Sequence, residues 1–271
     1  MKNIVISVLV AAVASGCASL SKPGYDTLIA HRGESFDAPE NTLPAYKMAV
    51  DRGFGFECDI YLSSDRRLFT FHDCTLARTT SGANTNACTA VDWAGTVSKL
   101  NVGGWGKWKG SEFDPTRPAL LEEVLALARP GRKIYVEVKD DDPSWVPYIK
   151  ATFAKEPKAT PETVLFISFG RKVSAELKRQ MPEFKVYWLT GREITAEALV
   201  AELRALGVDG ADIKFRPDMV TAEFISAVKD AGFELHVWTV DDPELAAEAF
   251  RRGAQTVTTN RAKYILDSLR L

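Results

Sequence analysis

A single α/β domain, a (β/α)8 TIM barrel with an insertion after the second strand, is the fold this sequence predicts. Three observations carry that reading. Eight short β-rich apolar runs alternate strictly with eight helical patterns, as parallel strands joined by crossover helices do. The alternation fills residues 23–271, the usual extent of such a barrel. A doubly wound open sheet would want a GxGxxG phosphate loop after the first strand, and none stands there.

The strands are expected at Thr27–Ala30, Gly55–Tyr61, Lys133–Val138, Val164–Ser168, Lys185–Leu189, Val208–Ile213, Glu234–Thr239 and Thr256–Thr258. The helices are expected at about Thr42–Arg52, Leu120–Ala128, Trp145–Lys155, Lys172–Gln180, Ala196–Leu206, Met219–Ala231, Pro243–Arg251 and Arg261–Leu269. Gly53, Gly207, Gly232 and Gly253 each follow the last apolar residue of a helix, where a left-handed terminus is common. One stretch breaks the rhythm. After Tyr61 a turn leads to Leu68–His72, and residues 74–118, rich in Gly, Thr, Asn and Trp, read as a lid or small subdomain. Its Trp93, Trp105 and Trp108 form either a local apolar cluster or a wall for a substrate headgroup.

Residues 1–22 stand apart. A short basic start precedes an apolar run from Ile4 to Ala14, too short to span a bilayer. Ala14-Ser15-Gly16-Cys17 follows and resembles a bacterial lipobox, so export is expected, with Cys17 as the lipidated residue and a route to the membrane. Plain secretory cleavage and a retained anchor are the alternatives. The expected location is the bacterial cell envelope, periplasmic or membrane-anchored. Export allows a disulfide, and Cys74 with Cys88 is a plausible pair, against two free thiols. Cys58, between two carboxylates on a strand, must face away from both. A formal net charge of -2 offers no strong positive field, so no nucleic-acid partner is expected.

The chemistry concentrates at the expected strand ends. The chain has three histidines, and His31 and His72 both stand in compact polar motifs, His31-Arg32-Gly33 and His72-Asp73. Two imidazoles can trade a proton near neutral pH. Glu57 and Asp59 lie two apart on one strand, so both point into the barrel mouth. Glu137 and Lys139 repeat that spacing on the next barrel strand. Three carboxylates among apolar runs need partners. Either they pair with Lys139 and Arg32, or they hold a divalent cation. An all-oxygen donor set favours Ca²⁺ or Mg²⁺ over zinc. Trp238 ends a late strand. His236, two residues before it, reads as structural, with pocket lining as the alternative.

These residues also carry a family resemblance. His31-Arg32-Gly33, Pro39-Glu40-Asn41-Thr42, Ala45, Glu57-x-Asp59, His72-Asp73, Leu76-x-Arg78-Thr79-Thr80-x-Gly82, Glu137-x-Lys139 and Trp238-Thr239-Val240 resemble the glycerophosphodiester phosphodiesterases over almost the whole region after the leader. The resemblance implies a (β/α)8 barrel that hydrolyses glycerophosphodiesters to sn-glycerol 3-phosphate and an alcohol with one divalent cation. It implies that Glu57, Asp59 and Glu137 bind the metal. His31 and His72 would act as general base and general acid. Arg32 and Lys139 would hold the phosphate, with Trp238 on the substrate. Two departures stand out: Asp241 where an asparagine often follows Trp-Thr-Val, and Thr258-Thr259-Asn260-Arg261 in place of the common Thr-Asp-x-Pro. The alternatives are a phospholipase D-like hydrolase of lysophospholipids or sphingomyelin, and a barrel that binds a phosphoglycerol ligand without turnover.

Overall fold

The computed structural model describes residues 22–269. The expected leader, with Cys17 as its expected lipidation site, lies outside them. Nine strands and eight α-helices are described: β1 Leu28–Ala30, α1 Leu43–Asp51, β2 Gly55–Leu62, β3 Leu68–Thr70, α2 Leu121–Leu125, β4 Ile134–Val138, α3 Val146–Phe153, β5 Val164–Ser168, α4 Arg171–Gln180, β6 Val186–Thr190, α5 Ala196–Leu206, β7 Gly210–Lys214, α6 Ala222–Asp230, β8 Glu234–Trp238, α7 Pro243–Arg252, β9 Val257–Thr259 and α8 Ala262–Leu269.

Eight strands close a parallel ring in the order β1-β9-β8-β7-β6-β5-β4-β2, sealed by Ile29 opposite Gly55. This is the expected TIM barrel. β3 is the addition: it lies outside the ring, antiparallel to the far half of β2, with Leu62 opposite Leu68 and Ile60 opposite Thr70. A three-residue run is too short to announce itself as a strand by alternation. Its consequence is positional, because it folds the chain back so that His72 arrives beside the end of β2. Between β3 and α2 the chain forms three short 3-10 turns and an isolated antiparallel bridge between Thr75 and Ala87. There Trp93 is buried against Phe69, while Trp108 meets Phe113 edge-on.

Strand alternation sorts the side chains. One set packs outward under the helices. The other fills the barrel with Ile29, Tyr135, Leu165, Ile167, Tyr187 and Leu189. Below the mouth, polar groups pair with each other: Tyr187 donates to Glu234 at 2.6 Å, and His236 Nδ1 meets Thr256 Oγ1 at 2.7 Å. His236 is thus a buried structural residue in this plug and does not line the pocket at the strand ends. Helix starts are set by side-chain oxygens that satisfy otherwise orphan amides: Thr42, Thr195, Thr221 and Asp242 each accept from an amide three residues on. Thr221 puts the start of α6 later than the expected Met219.

Candidate active site

The site lies at the C-terminal ends of the strands, in a pocket of about 200 Å³ lined by His31, Arg32, Glu57, His72, Glu137, Lys139 and Trp238, among others. These are the residues singled out by sequence; the remaining one, Asp59, is buried and paired with Lys139 and Arg32 of the lining. Register makes the cluster. Asp59 on β2 stands opposite Glu137 on β4, and Glu57 is one inward position away on β2. Ligand oxygens of Glu57, Asp59 and Glu137 all lie within 4.8 Å of one another, and all three residues are buried.

Such crowding of negative charge is costly. Burial pushes the Glu57 carboxyl up, and the Asp59 and Glu137 charges add to this. Burial, then Asp59, raises Glu137 to about 8. Asp59 suffers the same burial, but Lys139 and Arg32 more than offset it and hold its carboxyl below the usual range. Lys139 Nζ reaches Glu137 at 2.7 Å and Asp59 at 3.1 Å. Glu57 Oε1 has no hydrogen-bond partner among the described residues. Lys139 and Arg32 are two cations against three carboxylates, and with Glu57 Oε1 left without a partner the set fits a hard divalent cation bound by Glu57, Asp59 and Glu137.

Each carboxylate is aimed by a neighbour. Arg32 N donates to Glu57 Oε2 at 2.8 Å. Asn41 Nδ2 donates to Asp59 Oδ2 at 2.7 Å, while Asn41 Oδ1 accepts from Tyr46 Oη at 2.8 Å and from Asp59 N at 3.1 Å. Arg32 and Asn41 both hold φ of 56°, a left-handed backbone that side chains avoid unless surrounding structure imposes it. Gly33 follows with φ of 78°, and a Cβ there would sit 2.6 Å from the Ala45 backbone. That close approach of the His31-Arg32-Gly33 turn to α1 requires glycine.

The two imidazoles are held differently. His31 Nδ1 lies 2.7 Å from Asn260 Oδ1, and its Nε2 lies 3.9 Å from Glu57 Oε2. Burial, then the Arg32 charge, lowers His31 to about 4, so it is neutral at pH 7. His72 Nδ1 meets Asp73 Oδ1 at 2.8 Å; burial lowers it below the usual value, against the pull of Asp59. Asp73 Oδ2 accepts from Arg78 Nε at 2.7 Å. Arg78 forks onto both oxygens of Glu40, at 2.8 and 2.7 Å, and Glu40 Oε1 also accepts from Arg32 Nη1 at 2.8 Å. One chain of charged hydrogen bonds therefore joins His72 to Arg32.

Sequence reading assigned no role to Asn41, Glu40, Arg78, Asn260 or Asp241. All five stood in motifs or departures already noted, but their partners are distant in sequence: Asn260 is 229 residues from His31. Trp105 of the insertion lies under Arg78 at 5.1 Å, so part of that segment touches the site. Cys74 and Cys88 are free thiols, joined through a backbone bond from Cys88 N to Cys74 O of 3.0 Å. Cys58 is buried and free, with its side chain on the core side of β2 away from the carboxylates.

Residues 31–263 match the model of the glycerophosphoryl diester phosphodiesterase family. A glycerophosphodiester phosphodiesterase of Caldanaerobacter subterraneus subsp. tengcongensis is 27% identical over 249 residues, 90% of this chain and 97% of that one. Another, of Bacillus subtilis, is 26% identical over 259 residues, covering 89% of this chain and 86% of that one. Among solved structures, an Oleispira antarctica phosphodiesterase in complex with the product sn-glycerol-3-phosphate is similar with a TM-score of 0.79. It is 25% identical, and the match covers 90% of this chain and 97% of that one.

Proposed function

Because the chain belongs to the glycerophosphoryl diester phosphodiesterase family, we propose that it hydrolyses glycerophosphodiesters to sn-glycerol 3-phosphate and an alcohol, using a divalent cation and two histidines. The observation that carries the reading is a buried three-carboxylate cluster opening into one pocket with His31 and His72.

Glu57, Asp59 and Glu137 would hold the cation. Bound there, Ca²⁺ or Mg²⁺ supplies Lewis-acid polarisation of a phosphoryl oxygen and a sink for developing charge. Arg32, clamped on one side by Glu40, turns its remaining N–H groups to phosphate oxygens, and Lys139 adds a point charge. His31, neutral and with Nε2 toward the pocket, is suited to take the proton of the attacking oxygen. His72, backed by the Asp73 carboxylate, is suited to protonate the departing alkoxide. The attacking oxygen is either water or the substrate's own glycerol hydroxyl, the latter passing through a cyclic phosphate.

The test is a panel of glycerophosphodiesters, with chelator and then with Ca²⁺ or Mg²⁺ restored, run beside lysophosphatidylcholine. Turnover of glycerophosphocholine that chelator abolishes and cation restores supports the reading; turnover of the lysolipid alone overturns it in favour of a phospholipase D-like enzyme. His72→Ala should abolish turnover and leave cation affinity nearly intact. We also propose export through residues 1–22, with lipidation of Cys17; mass spectrometry of the N-terminus of the cell-envelope protein tests it, and a free, uncleaved Met1 terminus would refute it.

A further inference from the structure

The pocket holds polar groups that the phosphate chemistry does not use. Across from the carboxylates its wall is apolar: Ile167, Phe169, Leu189 and Trp238. Asp212 on β7 and Thr258 on β9 are set into that wall. Asp212 is 1% exposed and Thr258 2%. Asp212 Oδ1 and Thr258 Oγ1 have no hydrogen-bond partner among the described residues. A buried polar atom without a partner has lost its water and gained nothing in return, so two of them on one small pocket call for an explanation.

A structural role does not supply one. No cation pairs with Asp212 among the described residues, and its strand neighbours are Leu189 and His236. Its backbone carbonyl already accepts from Trp238 Nε1 at 3.0 Å, which fixes the strand without the side chain. Asp212 also falls outside the three-carboxylate cluster, so it is not a further ligand of the same cation. What remains is a ligand that brings hydroxyls and has a carbon skeleton to lay against Trp238 and Phe169, whose rings meet edge to face at 5.6 Å.

We propose that Asp212 and Thr258 read the two free hydroxyls of the substrate's glycerol arm and make the enzyme selective for it. This rests on the phosphodiesterase reading above and adds to it the residues that tell a polyol arm from an alkyl one. A carboxyl and a hydroxyl on one pocket wall, on the two strands that flank β8, can each pair with one hydroxyl of a diol that lies between them. A substrate without hydroxyls would leave both groups buried and unpaired, which is how sites built for a hydroxyl reject analogues lacking it. Below these residues the barrel is filled by Tyr135, Tyr187 and His236, so the arm must also be short.

The experiment compares glycerophosphocholine with propylphosphocholine, the same diester without the two hydroxyls, using enzyme loaded with the cation that supports turnover. Wild type, Asp212→Asn and Thr258→Val are assayed, and inhibition by sn-glycerol 3-phosphate and by propyl phosphate is measured on each. The wild-type preference for the glycerol diester in kcat/KM is expected to exceed about 100-fold. Each variant should narrow it at least tenfold, chiefly by losing the glycerol substrate, and should lose the tighter inhibition by glycerol 3-phosphate. Thr258→Val, which removes an orphan hydroxyl at constant shape, should hold or raise Tm, so that loss of selectivity is not loss of fold. An unchanged substrate ratio and inhibitor ratio in both variants overturns the proposal. Absence of wild-type activity on every glycerophosphodiester of the panel would instead overturn the phosphodiesterase reading, and the two inhibitors would still report whether the hydroxyls are read.

Discussion

Nδ1 of His31 lies 2.7 Å from Oδ1 of Asn260, and the polarity of that contact is dictated by a third residue, Asp241. The Asp241 carboxylate only accepts: it takes Asn260 Nδ2–H at 2.7 Å and the Asn260 backbone N–H at 2.8 Å. The amide oxygen is therefore what Asn260 offers to His31. Nδ1 must carry the proton, and the Nε2 lone pair is left to face the pocket. The two departures from the family pattern, Asp241 and Asn260, are thus one hydrogen-bonded pair.

That coupling is testable by exchange. Asn260→Ala should lower kcat about 10- to 100-fold, a part of what a positioned base contributes, and leave KM nearly unchanged. Asn260→Asp alone would put two carboxylates in contact and should be equally impaired. The double exchange Asp241→Asn with Asn260→Asp restores the contact with its direction reversed, still offers an acceptor oxygen to His31, and should recover most of the activity. Steady-state kinetics on the four proteins checks it; a double variant no better than the singles would break the argument.

Cation binding should release protons. Glu137 is raised to about 8 by burial and Asp59, and Glu57 is raised as well, so the cation-free site carries protons at neutral pH. A cation must displace them. Affinity should fall by up to about tenfold per pH unit below 8 for each proton displaced. In stability the sign is opposite. A folded pKa raised from 4.5 to about 8 contributes stability present below 4.5 and lost as pH rises to 8. His31 acts against this: its pKa is depressed from 6.5 to about 4, so its share of stability is complete above 6.5 and lost as pH falls to 4. With chelator, Tm should therefore decline between pH 7 and 8.5, and divalent cation should abolish the decline. Calorimetric titration in two buffers of different ionisation enthalpy measures the proton release directly.

Lys139 and Glu57 share the site but should fail in different ways. Glu57→Gln removes an oxygen of the proposed cation site, and its loss of activity should be restored by raising the cation concentration. Lys139→Met removes the cation that bridges Asp59 and Glu137 at 3.1 and 2.7 Å. It should lose at least about 100-fold in kcat/KM, the scale of a lost charged contact to phosphate, and excess cation should not restore it. Titrating Ca²⁺ or Mg²⁺ against both variants separates the two.

Much of this was legible in the sequence, for a physical reason. Strands buried on both faces read as continuous apolar runs, so all eight ring strands stood out, and Glu57-x-Asp59 and Glu137-x-Lys139 interrupt such runs at an inward-facing spacing. What was not legible depends on contacts across the ring. Asp212 reads like Asp209, three residues earlier, yet Asp209 holds Lys178 at 2.8 Å while Asp212 is buried in the pocket wall with no cation. No local pattern separates them, because the difference is set by where the next strand packs. The short end of α2 was hidden in the same way. Expected to reach Ala128, it stops at Leu125, and the chain then turns so that Arg132 can bridge back to Arg129 before β4.

The last prediction concerns the clamp that joins the two halves of the site. Arg78 donates to Asp73, the partner of His72, and to both oxygens of Glu40, the partner of Arg32. It stands at the start of the insertion and stacks on Trp105. Lysine cannot reproduce a fork that binds two carboxylates at once. Arg78→Lys should therefore let Asp73 and Glu40 relax separately, loosening His72 and Arg32 together. With Arg78 more than a third exposed, its ion pairs contribute little to stability, and Tm should fall by only a few degrees. Catalysis should suffer more: kcat is expected to drop about tenfold or more, with a rise in KM, as the roles proposed for His72 and Arg32 require. Trp105→Ala, which removes the stacking but not the fork, should give a smaller drop of the same kind. Melting curves and kinetics on both variants test the ordering, and a Tm loss that outpaces the loss of kcat would make the clamp a feature of folding instead of catalysis.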